Sequence, residues 1–298
     1  MQRIVTIGGG TGHFQLLRGL KNYDCDITAI VSTSDDGGSS GKLRDTYGIL
    51  PPGDLRQCMV ALAPDDDSMV LRKLFAYRFS DGHNLGNLII TAAGSIAGGE
   101  MEGIRIASKL LNIQGIVVPV TLDHCTLMAE TTHGKTIQGE KNIDVIQGKE
   151  TRIQKVWLEP RAHLFKEAAQ AIRAADKIVF CPGDLYGSTI PNLLVQGMSD
   201  VLKESRGKKI YACNLFTKQG CYGFNASDFV NEIEKYSKIK LDHILINTFR
   251  PSQELIGKYL LENSNLVEDN MPRDPRAIRN DFAQVYPSTP NPILRHIP

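Results

Sequence analysis

Apolar residues fall along this chain in two rhythms. The runs RIVTI (3–7) and DITAIVS (26–32) are short and β-rich, and between them a stretch near Gly12–Leu20 repeats apolar positions three and four apart. That pattern predicts strand, helix, strand, with the two strands parallel. From about Asp54 to Leu111 the period becomes helical, and DLRQCMVALA, SMVLRKLFAYRF, NLGNLIITAAGSIA and EMEGIRIASKLL predict four helices in succession. From Ile116 to Leu158 the segments IVVPVT, CTLMAETTHGKTIQGE and TRIQKVWLEP alternate between turn residues and leave no room for crossover helices, which predicts an antiparallel excursion. The first rhythm then returns, with strands at KIVFCPG, KKIYACNL and HILIN and helices around Phe165–Ala174, Pro191–Glu204, Ser227–Tyr236 and Ser252–Leu261. The sum is an α/β chain, doubly wound in three layers around a mainly parallel sheet. It is expected to form one domain over 1–298 with an antiparallel β insertion at about 116–158. The proline-rich tail from Pro272 onward predicts one short helix lying across the surface.

Composition narrows the partners. Of 298 residues, 34 are Lys or Arg and 33 are Asp or Glu, a formal net charge of +1 with no basic stripe. A duplex nucleic acid or an anionic membrane therefore has no electrostatic footprint to bind, and small molecules are the expected partners. No apolar run reaches the ~18–20 residues of a membrane span, and the N-terminus enters a strand without a signal-peptide pattern, so a cytoplasmic location is expected. The six cysteines form no C-x-x-C pair, which leaves neither a zinc knuckle nor a thioredoxin-type redox motif.

The chemistry is concentrated at the predicted strand ends. GGGTGH follows the first strand; Gly8, Gly9, Gly10 and Gly12 permit close backbone approach to a phosphate and Thr11 adds a hydroxyl. The run does not match G-x-x-x-x-G-K-[ST], and His13 stands where G-x-G-x-x-G needs glycine, so ATPase and dinucleotide readings weaken while a tight turn without ligand stays open. The second strand ends in SDDGGSSGKLR. Here Asp35, Asp36, Gly37, Gly38, Ser39, Ser40, Lys42 and Arg44 can serve a ribose, a phosphate or a Mg²⁺ ion, or form a polar turn. Asp54, after Pro-Pro-Gly, reads on its own as a helix N-cap. His83, Asn84 and Asn87 in GHNLGN suit a cap and a ligand contact equally. In CPGDLYGSTIPNLL, Asp184, Ser188 and Thr189 can touch a ligand, while Tyr186 stacks on a base or plugs the crevice. CNLFTKQG adds Asn214, Thr217 and Lys218 on the same terms. The acidic run at 64–68 reads as a solvated cap, and no Ser-His-Asp or Cys-His arrangement is present.

Taken in order, GGGTG, LLRGL, ITAIVSTSDDGGSSGKLR, PPGDLR, GHNLGN, PGDLYGSTIPNLLV and CNLFTKQG resemble the YvcK-like proteins, also called gluconeogenesis factors, of the CofD-like superfamily. The resemblance runs from residue 3 to about 250. It implies a Rossmann-like three-layer α/β/α fold and a nucleotide-binding protein of UDP-sugar type, with UDP-N-acetylglucosamine as ligand, that regulates and supports cell-wall synthesis and cell shape on gluconeogenic carbon sources. The CofD branch implies an alternative, a transferase that moves a phospholactyl group from a guanosine diphosphate carrier onto a deazaflavin with Mg²⁺. Carried over residue by residue, the resemblance places Gly9, Gly10, Thr11 and Gly12 at phosphate, Asp35, Asp36, Ser39, Ser40 and Arg44 beside them, and Asn214 near the ligand. Asp36 and Asp54 are the candidates for catalysis, and Mg²⁺ is the one cofactor implied. Oligomeric state and cell-wall regulatory partners are left open at this level.

Overall fold

The computed structural model describes residues 1–65, 69–146, 151–286 and 293–297. Its first unit is the predicted one: β1 (Gln2–Gly8), α1 (Gly10–Leu20) and β2 (Cys25–Val31), with β1 and β2 parallel and in register from Gln2 opposite Cys25 to Gly8 opposite Val31. Next come α2 (Gly38–Tyr47), α3 (Gly53–Leu62), α4 (Met69–Ala76), α5 (Leu85–Ala97) and α6 (Glu100–Leu110). The four helices expected over 54–111 are α3 to α6. α2 departs from expectation: the polar turn after the second strand opens a helix at Gly38, whose φ of +47° a glycine adopts without strain.

β3 (Ile116–Pro119) also departs from expectation. It pairs in parallel with β2 at the edge of the main sheet. The antiparallel part is therefore shorter than 116–158 and consists of β4 (Thr126–Thr131), β5 (Thr136–Gln138) and β6 (Ile153–Glu159) in the order β5-β4-β6, with α7 (Glu140–Asp144) after β5. A continuous apolar run such as IVVP suits a strand buried on both faces, and three of its four residues are buried.

The chain then passes through α8 (Lys166–Ala174), β7 (Lys177–Phe180), a π-helical turn (Leu185–Thr189), α9 (Ile190–Leu194), α10 (Met198–Glu204), β8 (Lys208–Ala212), α11 (Ala226–Ser237), β9 (His243–Asn247) and α12 (Gln253–Leu261). The single helix expected over Pro191–Glu204 is broken, with Gly197 at φ +94° capping the second piece. Among the described residues of the tail the expected short helix is absent; β10 (Ala277–Asn280) joins the main sheet, and β11 (Ala283–Tyr286) pairs antiparallel with β12 (Ile293–His296). The acidic run at 64–68 lies largely outside the described residues.

Seven parallel strands in the order β10-β9-β8-β7-β1-β2-β3 make the central layer. α1 and α3 pack against one another on the side shared with β2, and α8 to α11 form contacts with β1, β3 and β6 and among themselves. A second, smaller core joins Leu215, Leu255, Ala283 and Leu294 to Phe216, Phe249 and Tyr259, so α12 and the β11–β12 hairpin cover the loop after β8. Removing buried methyl groups from the centre of the sheet should be far more costly than doing so at its edge. Ile7 is 0% exposed and Ile278 is 44% exposed. We expect Ile7→Ala to lower unfolding free energy by about 3 kcal/mol in urea titrations and Ile278→Ala by less than about 1 kcal/mol; equal losses would contradict this placement of the core.

Candidate functional site

Strand order reverses between β1 and β7: the chain runs from β1 outward to β3, then returns to lay β7 on the other side of β1. In doubly wound sheets the loops at such a reversal diverge and leave a crevice at the carboxyl ends of the strands. Here the crevice is a cleft of about 530 Å³, lined from both sides of the reversal by Gly10, Gly12, Gly183 and Ser188, and further out by Asp35, Asn214 and Lys218.

The glycines of the first loop have separate reasons. Gly10 sits at φ +65°, in the left-handed region. A Cβ on Gly9 would meet the Asp54 carboxylate and Ser188, and one on Gly12 would overlap the carbonyl of Pro182. The turn after β1 and the turn after β7 therefore touch backbone to backbone. Asn214 ties the next loop on, donating from Nδ2 to the Gly183 carbonyl and accepting from Tyr211.

α1 starts with no side-chain cap and no acidic residue in its first turn, so its free N–H groups and positive dipole end face the cleft. The nearest anion comes from elsewhere. Asp54 does not cap its own helix, where Pro52 holds the N-cap position; its carboxylate crosses to accept the backbone N–H of Gly10. Burial, with repulsion from Asp35, pushes Asp54 from 3.8 up to about 7. Asp35 accepts from Gly37 N at 2.9 Å and from Ser40, and burial raises it as well. Glu140, at the start of α7, is carried up to about 8 by burial and then by Asp35 and Asp184. Asp184 caps the π-helical turn by accepting from Gly187 N at 2.7 Å. Lys218 faces these acids: its Nζ lies 3.4 Å from Asp144 and 3.6 Å from Asp184, and the two carboxylates raise its pKa against the opposing effect of burial.

The cleft is lined by two kinds of group, backbone N–H donors with hydroxyls and amides, and crowded carboxylates, and the two are interleaved, Asp54 sitting on the Gly10 N–H itself. The first suits a phosphate and the second suits hydroxyl donors. Among the described residues no three His, Cys, Asp or Glu side chains converge to hold a metal ion. The Mg²⁺ implied by the resemblance would need oxygens of a bound phosphate besides one or two of these carboxylates.

Of the residues expected at the site, the cleft brings together Gly10, Thr11, Gly12, Asp35, Asp54, Asp184, Ser188, Asn214, Thr217 and Lys218. Gly9, Gly37 and Ser40 stand behind them. Asp36 turns away and accepts the N–H of Lys141 at 2.7 Å, fastening α7 to the β2 loop. Ser39 accepts from Asn84 N, and Arg44 pairs with its neighbour Asp45 beside a separate hollow of about 260 Å³. Asn84 takes the capping alternative, accepting from Asn87 N at 3.2 Å at the start of α5, whereas the Asn87 side chain takes neither and accepts from Arg56. Tyr186 lies in the core rather than in the lining of the cleft: it is buried and donates to Glu232 at 3.1 Å. His13 lies under the loop with its Nε2 2.7 Å from Thr6 Oγ1, and burial drives its pKa down to about 3.

Sequence reasoning missed Glu140, Gln15, Gln57, Tyr259 and Arg295, all of which line the cleft. Glu140 comes from the insertion and Arg295 from the tail, where no local motif signals convergence. Gln15 could have been found, since it follows Thr11 by one helical turn on the same face.

A family model described as 2-phospho-L-lactate transferase CofD matches residues 4–286. A protein of Thermotoga maritima, provisionally named a gluconeogenesis factor, is 47% identical over 89% of this chain and 85% of its own. The gluconeogenesis factor of Halalkalibacterium halodurans is 40% identical over 89% of this chain and 84% of its own. A crystal structure of a UPF0052 family protein from Bacillus halodurans superposes with a TM-score of 0.92 at 36% identity, covering 99% of this chain and 96% of that one.

Two outcomes follow from this geometry. Gly12→Ala should destabilise by several kcal/mol, because backbone on both sides must shift; a melting temperature within 2 °C of the parent, against the ~4 °C or more that such a loss implies, would contradict the close approach. The folded pKa of Asp54 lies above its unfolded value, so the folded state holds the proton more tightly and stability falls as pH rises from about 4 to about 7. Asp54→Asn should flatten that slope and be about 1–2 kcal/mol more stable than the parent at pH 8, after allowance for screening by solvent in the cleft. Urea titrations at pH 4 and pH 8 check it; an unchanged slope counts against a strained carboxylate.

Proposed function

The chain belongs to the CofD family and, within it, to the gluconeogenesis factors, and on that premise we propose that the cleft binds a nucleoside diphosphate sugar of UDP-N-acetylglucosamine type, through which the protein acts as a regulator. The observation that carries the reading is the cleft at the strand reversal, where glycine N–H groups, a serine hydroxyl and several carboxylates line one space. A diphosphate lies against the N–H groups of Gly10 to Gly12 with Ser188 opposite, and takes over the Gly10 N–H that Asp54 holds in the free protein. Sugar and ribose hydroxyls donate to Asp35, Glu140 and Asp184, which accept better than they repel once a neutral polyol intervenes. Ligand binding thus relieves the crowding of carboxylates and draws α7 and the β2 loop together, giving a bound state whose surface a regulatory partner in cell-wall synthesis can read.

The transferase reading has its own support in the matching family model and in Asp54, whose pKa of about 7 suits a general acid or base.

Thermal unfolding separates the readings. At about 100-fold excess over Kd, UDP-N-acetylglucosamine should stabilise the protein by ~2.7 kcal/mol, without turnover of the ligand. Gly10→Val should fold and lose the shift, since the branched residue strains the left-handed backbone at the phosphate cradle. A melting curve unmoved by millimolar UDP-N-acetylglucosamine but raised by GDP, with product formed on a deazaflavin acceptor, would replace regulation by transfer.

A further inference from the structure

A hollow of about 390 Å³ lies between the turn joining α2 to α3 and the helix pair α5–α6, walled by Ile49, Leu50, Pro52, Leu55, Ile90 and Ile104. No residue lines both this hollow and the cleft, and α3 divides them: Asp54 faces the cleft, while Pro52 and Leu55 on either side of it face the hollow. Gly94, Gly98 and Gly99 leave the wall near the α5–α6 turn without side chains. Sites for small molecules are concave and mostly apolar, with a few polar groups and a volume of roughly 300–1,000 Å³. This hollow stands at the small end of that class, with room for a single ring or a branched alkyl group.

Its polar groups decide what it accepts. Thr91 and Ser95 already donate their hydroxyls to the carbonyls one turn back, those of Asn87 and Thr91. Glu100 is engaged on one side only: Oε1 accepts the Leu50 N–H at 2.6 Å, and Oε2 makes no hydrogen bond among the described residues. The side chain is 28% exposed, and burial raises its pKa. Among the described residues that line the hollow none is Lys or Arg, and the one group that can carry positive charge is His124, whose Nε2 lies 4.0 Å from Oε1. A carboxylate against apolar walls is stabilised by a cation brought close to it.

We propose that this hollow is a second ligand site, separate from the cleft, and that it takes a small apolar molecule bearing one protonated amine, with the apolar body among Leu55, Ile90 and Ile104 and the ammonium on Glu100 Oε2. The assignment stands whether or not the cleft binds a nucleotide. A neutral molecule of the same shape fills the same apolar space but leaves the carboxylate without its cation, and an anionic one is repelled, so the charge on the ligand's polar end sets the preference.

Benzylamine, benzyl alcohol and benzoate share one ring and differ in charge, and they are the probes. Each is titrated into the full chain at neutral pH while the methyl resonances of the isoleucines are followed by NMR. Benzylamine should shift Ile90 and Ile104 and bind at least about tenfold more tightly than benzoate, equivalent to ~1.4 kcal/mol, with benzyl alcohol between them. Glu100→Gln keeps an oxygen for the Leu50 N–H and removes the charge, so it should bind benzyl alcohol as the parent does and lose the advantage of the amine. Thr91→Phe fills the hollow from α5 and should abolish the shifts with all three probes; should the glutamine variant not fold, this variant and the amine–benzoate comparison on the parent still decide. Equal binding of benzylamine and benzoate by the parent, an amine preference that survives in folded Glu100→Gln, or shifts that leave Ile90 and Ile104 unmoved would overturn the assignment, as would a parent that binds none of the three.

Discussion

The cleft depends on one contact, between the backbone at Gly12 and the carbonyl of Pro182. It joins the two turns that leave β1 and β7, the strands on either side of the order reversal. Because no side chain intervenes, the start of α1 is pressed against the loop that carries Ser188, and its N–H groups open into the crevice rather than into bulk water. A residue larger than glycine at 12 would part the loops and disperse the N–H donors of the site.

The carboxylates of the cleft follow from the same compression. Asp35 and Asp184 end their strands at the crevice, Asp54 reaches in from α3, and Glu140 arrives from the antiparallel excursion. All four have raised pKa values, with burial the first cause in each. Lys218 answers Asp184 and Asp144, and Asp36 holds α7 through Lys141 N. These two contacts fasten α7 alongside the apolar packing of Leu127, Ile143, Ile153 and Val156 into the main core. The crowded carboxylates hold unfavourable charge that protons or hydroxyl donors would relieve.

Much of this was legible in the chain itself. Parallel strands, the helical stretch over 54–111 and the glycine turns follow from periodicity and from residue chemistry at strand ends. α2 was not legible, because GGSSGKLR is a poor helix former on propensity and is held by Ser40 to Asp35 and Ser39 to Asn84. Nor was β3 placed correctly, since a short apolar run reads alike in an edge strand and in an antiparallel hairpin. The tail misled for a different reason: prolines argue against a sheet, but Ala277–Asn280 contains none and finds β9 free to pair. Among site residues, Asn84, Asn87 and Tyr186 carried types that suit ligands and caps or plugs alike, and only packing decides. Asp54 showed the reverse, a residue whose local context suggests a cap and whose carboxylate serves a different helix.

A crystal structure of the protein with UDP-N-acetylglucosamine tests the central claim most directly. The diphosphate oxygens are predicted to lie within hydrogen-bond distance of the backbone N–H groups of Gly10 to Gly12, with the Asp54 carboxylate displaced from Gly10. A nucleotide seated instead in the apolar hollow of about 390 Å³ lined by Leu50, Ile90 and Ile104, with Asp54 still bonded to Gly10, would contradict it.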